Sequence, residues 1–253
     1  MTRMKFLLSL LLLTLPMLLW GQTTVTKSVA TRAEQPVTMT FTYPEQIKVE
    51  VWNKETVEVE ANVSINRGEN DDAFRINVDE TGNALAISTE IVDRDELPER
   101  IMIHHGGQDH YFNTSDWSDP DVQAFLDQHG KENIQWTSHG PLIDIAVKVF
   151  VPKNVDLKIT SKFGLIEMKG ITRSLTMDAK HGGLDLAVPS TTSGLAFEVA
   201  CDWGEVYTDL DLDIVSSGEG RMLKDQQFTA TLNGGGQPVR LISKHGNIYL
   251  RAL

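Results

Sequence analysis

Apolar and polar residues alternate along much of the chain, and a period of two is typical of half-buried strands. Between residues 22 and 92 the alternation recurs in short runs, for example at Ile47, Val49 and Val51. Turn residues such as Gly82 and Asn83 separate these runs. The pattern predicts an all-β, strand-rich N-terminal region that belongs to a sandwich or a solenoid.

Residues 93–140 interrupt this pattern. The stretch is acidic and contains five of the seven histidines of the chain. It includes one helix candidate, with Asp119 as N-cap, Pro120 at the first helical position and Gly130 just beyond the end. Because apolar residues are few, the sequence predicts an insertion of loop and one short helix that has no core of its own.

Residues 141–253 contain a repeat of strand, glycine and strand. Its four copies are LKITSKFGLIEM from Leu157, LTMDAKHGGLDL from Leu175, FEVACDWGEVYT from Phe197 and VRLISKHGNIYL from Val239. The shared glycines are Gly164, Gly182, Gly204 and Gly246. Glycine adopts turn conformations that strain other residues, so we interpret it as the turn. We expect a further, degenerate copy around residues 228–241.

One repeat unit cannot bury its apolar side alone, whereas stacked units cover one another. The first three copies start 18 and then 22 residues apart, which suits one coil of a solenoid. The sequence therefore predicts a β-solenoid for this region. An antiparallel β-sandwich of hairpins stays open as the alternative, because glycine turns also close hairpins.

The first 21 residues are typical of a secretory signal peptide. Arg3 and Lys5 precede an apolar run that ends at Trp20, and Gly21 is a small residue suited to cleavage. An uncleaved membrane anchor is the alternative, although the run is shorter than the roughly 20 residues of a spanning helix. We therefore expect export to the periplasm or cell surface.

Charge and cysteine content exclude several classes of protein. Without residues 1–21 the chain has 21 basic and 35 acidic residues, and this net charge of −14 opposes nucleic-acid binding. Cys201 is the only cysteine, which excludes a disulfide scaffold, a thiolate zinc cluster and a redox pair. Its position in a column of small, inward-facing residues predicts a packing role.

The repeat resembles the bacterial putative-adhesin β-strand-repeat family, a domain family of unknown function with head-GIN-like β-helix relatives. The strand pair IKVEVWNKETVEVEANV from Ile47 also resembles this family. The resemblance spans about residues 36–92 and 143–253 and leaves out residues 93–140. It implies an exported, non-catalytic solenoid similar to a right-handed β-helix, and it supplies no active site.

The insertion contains a candidate site for zinc or copper. Its predicted ligands are His104, His105, Asp109 and His110, which are residue types that bind such metals. On a strand, however, the adjacent His104 and His105 would point to opposite sides. A polar loop whose charge rises below about pH 6.5 is the alternative interpretation.

The repeat provides a candidate ligand-binding strip. The position before each glycine is occupied by Phe163, His181, Trp203 and His245, and the position before that by Lys162, Lys180, Asp202 and Lys244. In stacked units, neighbours in each column would lie about 4.8 Å apart. Such a strip could bind a glycan or an anionic polymer. Alternatively, the rings cover the turns and the lysines keep the edge soluble.

Glu167 and Asp185 share a solvent-facing column with Tyr207 and Tyr249. Paired carboxylates catalyse glycoside hydrolysis, so a polysaccharide lyase or hydrolase is an alternative function. The sequence predicts first an exported, non-catalytic, adhesin-like protein of the cell envelope, with a protein or glycan partner and no nucleic acid. A metal-binding envelope protein is the third hypothesis.

Overall fold

A computed structural model of the chain describes residues 22–219 and 226–253. The predicted signal peptide, residues 1–21, lies outside the described residues. The described residues form twenty strands, numbered β1 to β20 in chain order, and one α-helix, α1. Short 3-10 helices occupy Asn66–Gly68, Asp71–Ala73, Arg94–Glu96 and Lys131–Asn133. Among the described residues, no helix has the length and apolar character needed to cross a membrane.

The first sheet has eight strands. In spatial order they are β1 (Thr23–Ala30), β4 (Thr56–Ile65), β10 (Ile143–Pro152), β3 (Gln46–Trp52), β12 (Leu165–Lys169), β14 (Leu184–Val188), β20 (Ile248–Ala252) and β16 (Val206–Thr208). The pairs β1–β4 and β4–β10 are antiparallel. From β10 to β16 every neighbouring pair is parallel.

The second sheet has nine strands. In spatial order they are β17 (Asp213–Glu219), β18 (Gln226–Leu232), β15 (Leu195–Cys201), β19 (Gln237–Ser243), β13 (Ser174–Ala179), β11 (Asp156–Ser161), β2 (Pro36–Phe41), β6 (Ala84–Ile91) and β5 (Phe74–Thr81). From β15 to β6 every neighbouring pair is parallel. The flanking strands β17, β18 and β5 pair antiparallel.

Both sheets bury one face in a shared hydrophobic core. The first column of the repeat is in register across four parallel strands, in the order Leu157, Leu175, Val239 and Phe197. All four side chains are buried. The predicted all-β class is therefore confirmed, with two mixed sheets. Because the repeat strands pair parallel to one another, the antiparallel hairpin alternative is wrong for the repeat.

The repeat units are not stacked in the order of the chain. Each unit contributes its first strand to the second sheet and its second strand to the first sheet. The unit β19–β20 lies between β13–β14 and β15–β16, although it follows both in the sequence. The degenerate copy expected at residues 228–241 is absent from the described strands, because β18 runs antiparallel along β15.

The repeat glycines are needed for close packing and not, as the sequence suggested, for an unusual turn conformation. None of the four has a positive φ. A Cβ atom on Gly182 would instead lie 2.3 Å from the carbonyl oxygen of Gly164, and one on Gly246 would lie 2.3 Å from that of Gly182. Units that are neighbours in space therefore touch through their backbones at this turn.

The insertion has more structure than the sequence predicted. Strands β7 (Arg100–His105), β8 (Gln108–Phe112) and β9 (Trp136–Gly140) form an antiparallel sheet in the order β8–β7–β9. Helix α1 (Pro120–His129) is confirmed, since the Asp119 side chain accepts from the amide of Asp121 and Gly130 ends the helix. The expectation of no core was wrong. A small separate core contains Ile101, Ile103, Val122 and Leu126.

Candidate functional site

Four aromatic side chains form a continuous row at the corner where the second sheet turns into the first. The ring centroids are 5.6 Å apart from Phe163 to His181, 5.0 Å from His181 to His245 and 6.5 Å from His245 to Trp203. Neighbouring planes differ by at most 21°, and these separations are typical of offset stacking. We call these residues the aromatic row. His245 lies inside it because β19 lies between β13 and β15.

Backbone hydrogen bonds extend the strand register into this turn. The amide of His181 donates to the carbonyl of Lys162, and the amide of Trp203 donates to that of Lys244, both at 2.9 Å. The hydroxyl of Ser161 accepts from the amide of Gly164 at 3.0 Å. The row is therefore fixed by the same contacts that align the units.

Three lysines follow the aromatic row along its length. Lys162, Lys180 and Lys244 are exposed and lie on consecutive units. We call them the lysine row. Within the described part of the chain, none of them has a carboxylate within ion-pairing distance. Lys162 lies 5.0 Å from the ring centre of Phe163. Asp202 gives the Trp203 end a negative charge.

This corner is electropositive, although the whole chain has a net charge of −12. The pKa of His181 is lowered, first because its neighbours displace water from the ring. Positive charge on His245 and on the lysine row lowers it further. A bound anion would offset that positive charge, so the electrostatics of the corner favour anionic ligands.

The carboxylates proposed for the alternative enzyme are already engaged. Glu167 and Asp185 are neighbours in register on β12 and β14. Glu167 accepts a hydrogen bond from the Gln46 side chain at 2.6 Å, and Asp185 forms a bidentate ion pair with Arg251. Sequence reasoning missed Gln46 and Arg251, because both come from strands distant in the chain. Both oxygens of Asp185 already accept hydrogen bonds from the Arg251 guanidinium.

Cys201 is buried in the column of small residues, as the sequence predicted. Its Sγ lies 3.4 Å from the carbonyl oxygen of Gly246, where Ser243 also donates. Burial, followed by the charges of Asp202 and Glu205, raises the pKa of the thiol to about 11. Cys201 is therefore a packing residue and not a nucleophile.

The hairpin β7–β8 divides the predicted metal ligands between its two faces. His104 is hydrogen-bonded to Asp109 on the face that holds Trp136. His105 and His110 lie on the other face, where the Phe125 ring packs against both. Among the described residues, no group of three potential ligands has metal-binding geometry. Zinc or copper binding at this set stays a prediction.

Comparisons with known proteins place the chain in no established family. No family description matches the sequence, and no curated protein is significantly similar to it. A putative cell adhesion protein from Clostridium sporogenes is similar in structure, with 8% identity, a TM-score of 0.46, and coverage of 92% of this chain and 100% of that chain. A putative adhesin from Bacteroides fragilis has 9% identity, a TM-score of 0.28, and coverage of 92% and 98%. These values are too low to bear on function.

Proposed function

We propose that this chain is an exported, non-catalytic binding module of the bacterial cell envelope, located in the periplasm or on the cell surface. Its ligand is an acidic glycan, which binds along the aromatic and lysine rows. The observation that carries the proposal is the alignment of three lysines on consecutive units of an acidic protein, without a carboxylate partner in the described residues.

The scaffold in this proposal is a β-solenoid of five coils. The coils are β2–β3, β11–β12, β13–β14, β19–β20 and β15–β16, and each has one strand in each sheet. Parallel pairing in register supports this description. A solenoid repeats its surface residues at the strand spacing of about 4.8 Å, which suits a polymeric ligand with its own repeat.

The orientation of the rings favours an anionic ligand over a neutral sugar. Each inner ring of the aromatic row stacks against its neighbours, so His181 and His245 present edges and not faces to solvent. The edges of the Phe163 and Trp203 rings have a positive partial charge, and each histidine has at least one N–H donor at its ring edge. Ring edges and ammonium groups together would attract carboxylates along the polymer.

Binding to immobilised polygalacturonate tests this function, with uncharged dextran as the comparison. We expect binding to polygalacturonate alone, weakening as salt rises because the contacts are ionic. The double variant K180Q/K244Q should bind about tenfold or more weakly, at roughly 1 kcal/mol for each lysine. The exposed Lys158 lies on the outer face of β11, so K158Q is the matched control and should bind normally. Equal binding by both variants would refute the proposal.

A further inference from the structure

A cavity lies where the insertion packs against the first sheet. The cavity has a volume of about 570 Å³ and lies between one face of the three-stranded sheet of the insertion and the start of β10. Its lining includes Tyr111 and Trp136 from the insertion, and Glu45 and Asp144 from the main body. We call it the root cleft. Its volume falls within the range of small-molecule sites.

A chain of contacts preorganises one wall of the root cleft. Asp109 is hydrogen-bonded to His104 and lies 3.4 Å from the hydroxyl of Tyr111. The His104 ring stacks on Trp136, with centroids 5.2 Å apart and planes 14° apart. Each contact covers only part of a ring, so Tyr111 and Trp136 remain 42% and 47% exposed. Tyr111 and Trp136 therefore both present exposed aromatic surface in the cavity.

A turn in an uncommon backbone conformation brings Arg67 to the same cleft. Asn66, Arg67 and Gly68 have consecutive positive φ angles of 49°, 62° and 97°. The buried Asn66 side chain bonds to the backbone of Pro98, near the start of the insertion, and of Leu142, just after its end. Those bonds hold Asn66 in its conformation, and Arg67 follows it in the same turn. Uncommon conformations of this kind concentrate at functional sites.

The guanidinium of Arg67 lies 5.7 Å from the ring centre of Tyr111 and lines the cavity. The pKa of Tyr111 is raised, first by its partial removal from water and then by the charge of Asp109. Its hydroxyl therefore stays protonated at neutral pH. The root cleft thus combines hydrogen-bond donors, carboxylate acceptors and aromatic surface.

We propose that the root cleft binds a single saccharide unit that is uncharged or has an amino group. The aromatic surfaces suit the C–H faces of a sugar ring, and the carboxylates of Asp109, Asp144 and Glu45 suit hydroxyl or ammonium donors. Three carboxylates and one guanidinium line the cavity, and only Asp109 of the three has a histidine partner, so the lining is acidic and would repel a uronate. The site is separate from the aromatic row and disfavours the anionic sugars that are proposed to bind there.

Calorimetric titration with three sugars of the same ring form tests the charge preference. We expect methyl glucoside and glucosamine to bind, and glucuronate to bind at least about tenfold more weakly. Binding of glucuronate at equal or higher affinity, or no binding of any of the three, would overturn the proposal.

Matched variants test the location of this site. W136A should lower the affinity for glucosamine at least about tenfold, as for an aromatic anchor residue. Trp203 is similarly exposed but belongs to the aromatic row, so W203A should bind glucosamine normally. The K180Q/K244Q variant should also keep this binding while losing polygalacturonate, which separates a failure here from a failure of the proposed function. Equal effects of W136A and W203A would refute the location.

Arg67→Gly distinguishes a ligand-binding role from a structural one. Glycine accepts a positive φ without strain, so the backbone of this turn should keep its conformation. Affinity for glucosamine should fall, because the guanidinium is lost from the cavity. A lower midpoint with unchanged affinity would show that Arg67 serves the fold alone.

Discussion

Replacing Gly182 with alanine would test the interpretation that the repeat units touch through their glycines. The new Cβ would lie 2.3 Å from the carbonyl oxygen of Gly164 and 2.6 Å from its carbonyl carbon. Relieving this contact would require a shift of about 1 Å between two units. That shift is opposed by the hydrogen bonds from the amides of Lys180 and His181 to the preceding unit, both at 2.9 Å.

The expected cost of Gly182→Ala follows from these contacts. Overpacking in a close-packed interior costs about 1–3 kcal/mol, and weakening one backbone hydrogen bond adds about 0.5–1.5 kcal/mol. We therefore expect a loss of about 2–4 kcal/mol. In a protein of this size each kcal/mol lowers Tm by about 2–4 °C, so Tm should fall by about 5–15 °C.

Urea unfolding followed by tryptophan fluorescence would measure this loss. The sign of the change is the critical result. Gly182 does not have a positive φ. If only backbone freedom mattered, alanine would therefore stabilise the protein by about 0.4–1 kcal/mol. Lys180→Ala, on the same turn but with an exposed side chain, should stay within about 0.5 kcal/mol of the unchanged protein. A stabilised Gly182→Ala variant would refute the packing explanation.

The remaining predictions concern the core, the thiol, pH and metal binding. Leu241→Ala should lower the free energy of unfolding by about 2–5 kcal/mol, because Leu241 is fully buried on a central strand. Ile214 is exposed on an edge strand, so Ile214→Ala should lower it by less than about 0.5 kcal/mol. The midpoints of urea unfolding would measure both changes. Cys201→Ser should change the free energy of unfolding by less than about 1.5 kcal/mol, because the serines in the same column of two other units donate to the carbonyl of the turn glycine. Cys201→Leu should be more destabilising, because the larger side chain overpacks the core. The pKa of His181 is lower in the folded state than in the unfolded state, so the unfolded state binds more protons as pH falls below about 6.5. The free energy of unfolding should therefore decrease as pH falls through this range, and His181→Asn should weaken the decrease. Polygalacturonate affinity should rise over the same interval, because protonation adds positive charge to the site. In equilibrium dialysis, the unchanged protein and His105→Ala should bind zinc with the same affinity, because the hairpin places the predicted ligands on two faces. Weaker binding by the variant would support the predicted metal site.

The period-two pattern identified the strands of the repeat and their inward columns because both depend on local alternation. The position of helix α1 could also be predicted from the sequence, because Asp119, Pro120 and Gly130 each act on the backbone next to them. The alignment of Phe163, His181, Trp203 and His245 in one row also followed from the repeat alone. These features need only short-range information and the assumption that similar units stack.

The spatial order of the units was not accessible in this way. Any unit presents nearly the same apolar column to its neighbours, so Val239 can pair beside Leu175 as well as Phe197 can. The core of the insertion was missed because it is assembled from only a few apolar residues on a hairpin and a helix. The root cleft was missed because Arg67, Tyr111 and Trp136 meet only after the insertion has folded back on the body.

The placement of β19–β20 has a consequence for synthesis at the ribosome. Strands β15–β16 emerge before their permanent neighbour exists, so they cannot complete their parallel pairing as they are made. They must either wait apart from β13–β14 or pair with them provisionally and separate again. The units therefore cannot assemble by simple addition of each one to the previous one. We expect a slow late phase in refolding kinetics as a result.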